Sequence, residues 1–355
     1  MKTVLITLAA LVSAQSLAAQ SLLILSKGDR TLAIVDPASL KVLGKVPVGP
    51  DPHEVIASSD GRYAYVSNYG GGAYNTLALI DLVNQKALTP IDLGPLRGPH
   101  GLTFVGGKTW FTAEAAKAIA RYDPAAKKVD WILGTGQNRT HMIWVSEDMT
   151  HVYTTNVASA TVTIIEKRPP VNPGPPPGAP PGGPPPGATG GRPPGGRGGP
   201  MGPPGGDWNE TVIPVGRGSE GFDVRPDGKE IWVANAGDGT VSIINLASKQ
   251  VSDTLQANVP GANRLKFRPD GKLVFISSLG NAGIAVLDAE THKEIKRFEA
   301  RGCAGIEMQP DGSRVYVACT ASNYVAVIDP KTLNITARID AGPQPDGMAW
   351  CPRVQ

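Results

Sequence analysis

Three of the five histidines in the 355-residue chain stand at one recurring place, each just ahead of an apolar run. They are His53 in Asp51-Pro52-His53-Glu54, His100 in Gly98-Pro99-His100-Gly101 and His141 in Arg139-Thr140-His141-Met142. Neutral imidazole is a common ligand of Zn, Cu and Fe, so His53, His100 and His141 brought together would form a metal site. Carboxylates beside them would widen the choice of divalent ion to Ca or Mg. Counting seven residues back from the Asp of a recurring Asp-Gly pair lands on His53, Glu220, Asn263 and Ala304, and the same count from Asp148 lands on His141. His100 fits with one residue deleted, and Asp346 holds the position near the C-terminal end.

Arginines crowd the same place: Arg97, Arg139, Arg217, Arg264 and Arg301. Guanidinium forks suit a carboxylate or phosphate, which points to a small anionic ligand bound with Asn263 and Asp346, and to His100, His141 or Glu220 as a general base. A second recurring place holds Asn68, Glu114, Asn156, Asn235, Ser278 and Cys319. Asparagine there is expected to open the following turn through its side chain, and Glu114 is the exception. Cys303, next to Ala304, offers either a thiolate to the same site or a bridge to Cys319 across one hairpin. Against all of these stands the plainer expectation that the histidines only bond neighbouring backbone.

The elements that must position these residues repeat with a period of roughly 40 residues, the range of propellers and solenoids. Asp60-Gly61, Asp227-Gly228, Asp270-Gly271 and Asp311-Gly312 each precede an alternating run such as Tyr63-Ala64-Tyr65-Val66-Ser67-Asn68 or Glu230-Ile231-Trp232-Val233-Ala234-Asn235. Glycine tolerates the positive φ of a tight hairpin turn, and the alternation reads as a strand. A second alternating run ending in Asp or Asn follows, as in Leu77-Ala78-Leu79-Ile80-Asp81, and then a short closing strand. Four antiparallel strands per unit make a propeller blade. The chain after residue 19 starts inside a unit and ends after one strand, Asp346 to Trp350, so the last strand is expected to complete the first blade. The expected fold is all-β: a seven-bladed β-propeller over 20–355, with His53, His100, His141, Glu220, Asn263, Ala304 and Asp346 ringed at its channel mouth.

These residues resemble the YVTN-repeat β-propellers, the YncE-like and lactonase-like group, over essentially the whole chain after the leader. Tyr65-Val66-Ser67-Asn68 and Trp232-Val233-Ala234-Asn235 carry the motif, while 98–124 is similar to a streptogramin-lyase blade. The resemblance implies the seven-bladed fold, and these repeat motifs specify fold far more than chemistry. By analogy with ring-opening lyases and lactonases it also implies Glu114 as an acid/base partner. Two functions follow: a binding module for a small anion, a metal or a periplasmic or cell-wall partner, or an enzyme opening a lactone or ester ring, with or without the help of a metal.

Residues 1–19 read as a secretory signal peptide, with Lys2, an apolar run from Thr3 to Val12 and small residues before the expected cleavage site. The product is therefore expected to be periplasmic or secreted and monomeric, with no later apolar run long enough to span a bilayer. A net charge of +3 without a basic block interleaved with aromatics argues against nucleic acid as a partner. The proline-rich tract 168–206 lacks a strict glycine triplet and is expected to be a disordered insert in the fourth blade.

Overall fold

The computed structural model describes residues 20–168 and 208–352. The leader and almost all of the Pro/Gly tract lie outside the described residues, so the expectations made for them do too. Among the described residues there are seven antiparallel sheets and only two short 3-10 turns, Gly70–Gly72 and Thr320–Ser322. Among the described residues no helix is long and apolar enough to cross a membrane.

The Asp-Gly pairs act locally as expected. In the second blade Ser58 Oγ donates to Asp60 Oδ1 at 2.6 Å, the Arg62 amide donates to the same oxygen, and Gly61 sits at φ 70°. Gly228, Gly271 and Gly312 adopt the same left-handed backbone (φ 70°, 71° and 69°), which a side chain would strain. Each hairpin so made joins an innermost strand to a second one. The innermost strands are Pro52–Ala57, Pro99–Val105, Thr140–Val145, Ser219–Val224, Ala262–Phe267 and Cys303–Met308.

The first blade differs in origin. Its innermost strand is Pro345–Cys351, which pairs antiparallel with Ser21–Ser26 through Leu22↔Trp350, Leu23↔Ala349 and Ile24↔Met348. The ring is thus closed by strands from the two ends of the described chain. In the second blade the outermost strand is split into Lys86–Ala87 and Ile91–Asp92, with Pro90, which has no amide hydrogen, between them. In the fourth blade Thr161–Lys167 pairs with Trp208–Pro214, register Lys167↔Trp208, so both ends of the Pro/Gly tract leave from the face that carries the Asp-Gly turns.

The apolar core lies between blades. One cluster joins the first and second blades through Leu23, Leu32, Val55, Val66 and Ala349, and another joins the seventh to the first through Tyr316, Val325, Leu22 and Ile24. Innermost strands meet closely because of glycines. A Cβ added at Gly101 would lie 2.5 Å from the His141 carbonyl oxygen, at Gly221 2.5 Å from that of Asn263, at Gly305 2.3 Å from that of Asp346, and at Gly347 2.2 Å from that of His53. Hydroxyls on the second strands then staple blade to blade. Thr112, Thr155 and Ser277 donate to the carbonyls of His141, Glu220 and Ala304 at 2.7, 2.6 and 2.5 Å. The residues at the recurring position are therefore held by their neighbours' backbone in the order the repeat implied.

Candidate functional site

His53, His100, His141, Glu220, Asn263 and Asp346 line one cavity of about 320 Å3 at the channel mouth. Larger clefts exist elsewhere, such as one of about 600 Å3 between the second and third blades lined by Tyr63, Tyr65 and Tyr122. The channel cavity is the one into which imidazoles and carboxylates converge.

The His53 and His100 ring centroids are 5.0 Å apart, and those of His100 and His141 3.8 Å. His141 Nδ1 donates to Glu114 Oε1 at 2.5 Å, and Glu114 Oε2 accepts from the Tyr69 hydroxyl, also at 2.5 Å. On the other edge of the ring, His141 Nε2 lies 2.7 Å from Glu220 Oε2 as an ion pair. Arg139 closes the group, with Nε 3.5 Å from Glu114 and a terminal nitrogen 3.9 Å from Glu220. His53 is occupied differently: Lys27 Nζ sits 2.8 Å from its Nε2 and 3.3 Å from both Asp51 and Asp346.

Charge states follow from these contacts. Burial alone would lower the pKa of His141, but Glu220 and Glu114 together raise it, so it carries a proton between two carboxylates. His100 is held well below the usual imidazole range by burial and then by His141 and His53. Burial and Lys27 bring His53 down to about 4. Burial would raise Glu220, yet His141, Arg264 and Arg139 bring it to about 2. Burial and Glu114 push Tyr69 up to about 12, keeping its hydroxyl a donor, while burial raises Asp346. At neutral pH the cavity therefore holds neutral His53 and His100 beside a charged Glu114–His141–Glu220 row.

One donor atom from each of His100, Glu114 and His141 lies within 4.8 Å of the others, and all three residues are buried. The group spaced like a ligand set thus contains Glu114 where the sequence placed His53, because Lys27 engages the His53 ring. His100 Nδ1 is buried without a hydrogen-bond partner.

The arginines divide. Arg139 and Arg264 line the cavity, although Arg264 is buried against Glu54 and also bonds Asn263. The other three point elsewhere, correcting the expectation that all five surround the channel. Arg97 turns its fork onto the Ala73 carbonyl, Arg217 is 81% exposed and paired to Asp238, and Arg301 lines a separate cleft between the sixth and seventh blades. Cys303 does not offer a thiolate to the cavity either, because it is packed in the apolar core with Phe275 and Phe298. The asparagines of the second recurring place bond within or next to their own blade: Asn68 donates to Val48, and Asn235 to Thr240 and Ser242.

Sequence reasoning missed Lys27, Tyr69, Thr320 and Gln344, all of which line the cavity from loops. Tyr69 had a usable signal, since it directly follows Asn68 of the second recurring place.

A family model described as eukaryotic translation initiation factor eIF2A matches residues 222–327, less than half of the chain and confined to the fifth to seventh blades. No curated protein sequence matches. Among solved structures, a functionally unknown protein from Desulfotomaculum acetoxidans DSM 771 is similar with TM-score 0.70 and 11% identity, covering 94% of this chain and 100% of its own. A protein from Bacteroides uniformis ATCC 8492, provisionally named a 6-phosphogluconolactonase, gives TM-score 0.67 and 14% identity over 93% of this chain and 99% of its own. Hydrazine synthase from Kuenenia stuttgartiensis gives 0.61 and 15% over 85% and 90%. At these identities the likeness is one of fold, and chemistry has to be argued from the channel residues.

Proposed function

We propose that the protein is an exported binding module whose channel holds a divalent metal ion through His100, His141 and Glu220. A small anionic molecule would approach that ion past Arg139 and Lys27. The observation that carries the reading is His100 Nδ1, a buried imidazole nitrogen without a hydrogen-bond partner, in a group whose donor atoms lie within 4.8 Å of one another. Buried polar atoms are nearly always satisfied, by protein, water or an ion. Glu114 on Nδ1 of His141 is the outer partner that metal-bound histidines usually have, fixing the tautomer so that Nε2 is the ligand atom. The proton His141 carries between Glu114 and Glu220 marks a place where a positive charge is favoured, and a metal ion would displace it. Imidazole and carboxylate donors favour Zn, Cu(II) or Fe over Ca or Mg. Export rests on the character of residues 1–19.

The test is elemental analysis of the purified protein beside a His100→Ala/His141→Ala variant. A near-stoichiometric metal in the first and none in a folded variant supports the reading, and no metal in either after reconstitution defeats it. A second reading, ring opening of a lactone or ester, is favoured by the Glu114–His141–Glu220 row as an acid/base system in a cavity that also holds Arg139. Hydrolysis of simple lactones, with and without added divalent ions, separates it from a pure binding role.

A further inference from the structure

Cys303 and Cys319 face each other directly across the first hairpin of the seventh blade. Both are fully buried, and their sulfur atoms are 2.8 Å apart, one thiol donating to the other. The equivalent opposed pairs in other blades are Pro52 and Asn68, Thr140 and Asn156, Ser219 and Asn235, and Ala262 and Ser278. Only the seventh blade puts cysteine at both places, and neither thiol reaches the channel ligands. The third cysteine, Cys351, is buried in the first blade, near the carbonyl of Gly61.

We propose that Cys303 and Cys319 are joined in the mature protein as a cross-strand disulfide that staples the channel end of the seventh blade. Directly opposed residues of an antiparallel pair bring their side chains within the reach a disulfide needs. The oxidant is a disulfide of the exchange class, such as a protein oxidoreductase or oxidised glutathione. A thiolate of the pair attacks it to give a mixed disulfide and one released thiol. The second cysteine then attacks Sγ of the first and expels the oxidant's remaining sulfur as a thiol, so two protein S–H bonds and one oxidant S–S bond become one protein S–S bond and two oxidant thiols. Because both cysteines are sealed from solvent, exchange takes place before the seventh blade closes on the first. The staple lies beside the cavity wall. Thr320, the residue after Cys319, lines the cavity and donates to the Pro345 carbonyl at 2.6 Å, next to Asp346.

The test is thiol counting on full-length protein refolded with a mixture of reduced and oxidised glutathione, then alkylated in denaturant and weighed intact. The expected result is one alkylated thiol per chain and none in a Cys351→Ser variant, rising to three and two after reduction. Peptide mapping should place the bridge between 303 and 319. Three alkylated thiols before reduction, or a bridge that includes Cys351, would overturn the proposal. The outcome does not depend on whether the channel binds metal, which the elemental analysis reads separately.

Discussion

Replacing Glu307 by Gln should make the stability of the propeller less sensitive to pH. Glu307 lies on the innermost strand of the seventh blade, among Lys266, Asp223 and Glu54. Burial is the main reason its pKa rises from 4.5 to about 7; Lys266 opposes the rise, and Asp223 and Glu54 add to it. A carboxyl whose folded pKa lies above its unfolded value contributes fully below the unfolded value and loses that contribution as pH rises through the folded one. The wild type should therefore weaken between about pH 4.5 and pH 7. A displacement from 4.5 to about 7 corresponds to about 3.4 kcal/mol. Channel water screens part of this, leaving on the order of 2 kcal/mol at pH 8. Gln keeps the shape without the charge, so thermal melts at pH 5, 6, 7 and 8 should show the variant above the wild type at pH 8 by roughly 4 °C. The gap should shrink toward pH 5. A gap that stays constant from pH 5 to pH 8 would show that Glu307 ionises normally and that the channel interior is wetter than its burial implies.

Glu114→Gln removes one of the two carboxylates that hold the proton on His141, so the His141 titration followed by NMR should move to lower pH, and an unchanged titration would remove Glu114 from the row. Gly101→Ala forces a Cβ to within 2.5 Å of the His141 carbonyl oxygen and 2.8 Å of the Met142 Cα, which should lower stability by roughly 1–3 kcal/mol in denaturant unfolding. Thr112→Val leaves the Gly101 amide and the His141 carbonyl without their shared hydroxyl, at a loss of roughly 1–3 kcal/mol in the same assay. Ending the chain at Gly342 removes the strand that pairs with Ser21–Ser26, and the expected outcome is loss of cooperative unfolding by calorimetry.

The architecture was legible because it is written redundantly. Asp60-Gly61, Asp227-Gly228, Asp270-Gly271 and Asp311-Gly312 each specify a left-handed turn, and the alternating runs after them specify strands. The ring was legible for the same reason, since a position counted from a turn in sequence becomes a position around the channel in space. Even the closure by Pro345–Cys351 followed from the mismatch of the two ends.

What could not be read is set by side-chain direction and by loops. The count from the turn placed Arg97, Arg217 and Arg301 near the ring in sequence, but a residue just outside a strand is free to turn away, and Ala73 and Asp238 offer two of them better partners. Lys27 belongs to a loop with no repeat, yet its ammonium decides that His53 is a hydrogen-bond acceptor rather than a free ligand. Glu114 lies on the second recurring place, whose asparagines bond elsewhere, and it reaches the His141 of the next blade because Gly101 lets the two innermost strands touch. The chemistry of the channel thus arises at blade boundaries, where a residue's partner comes from the neighbouring repeat. A reading that treats each repeat by itself finds the positions and misses the pairs. Glu114 and His141, 27 residues apart and on adjacent blades, are the pair on which both the metal reading and the acid/base reading turn.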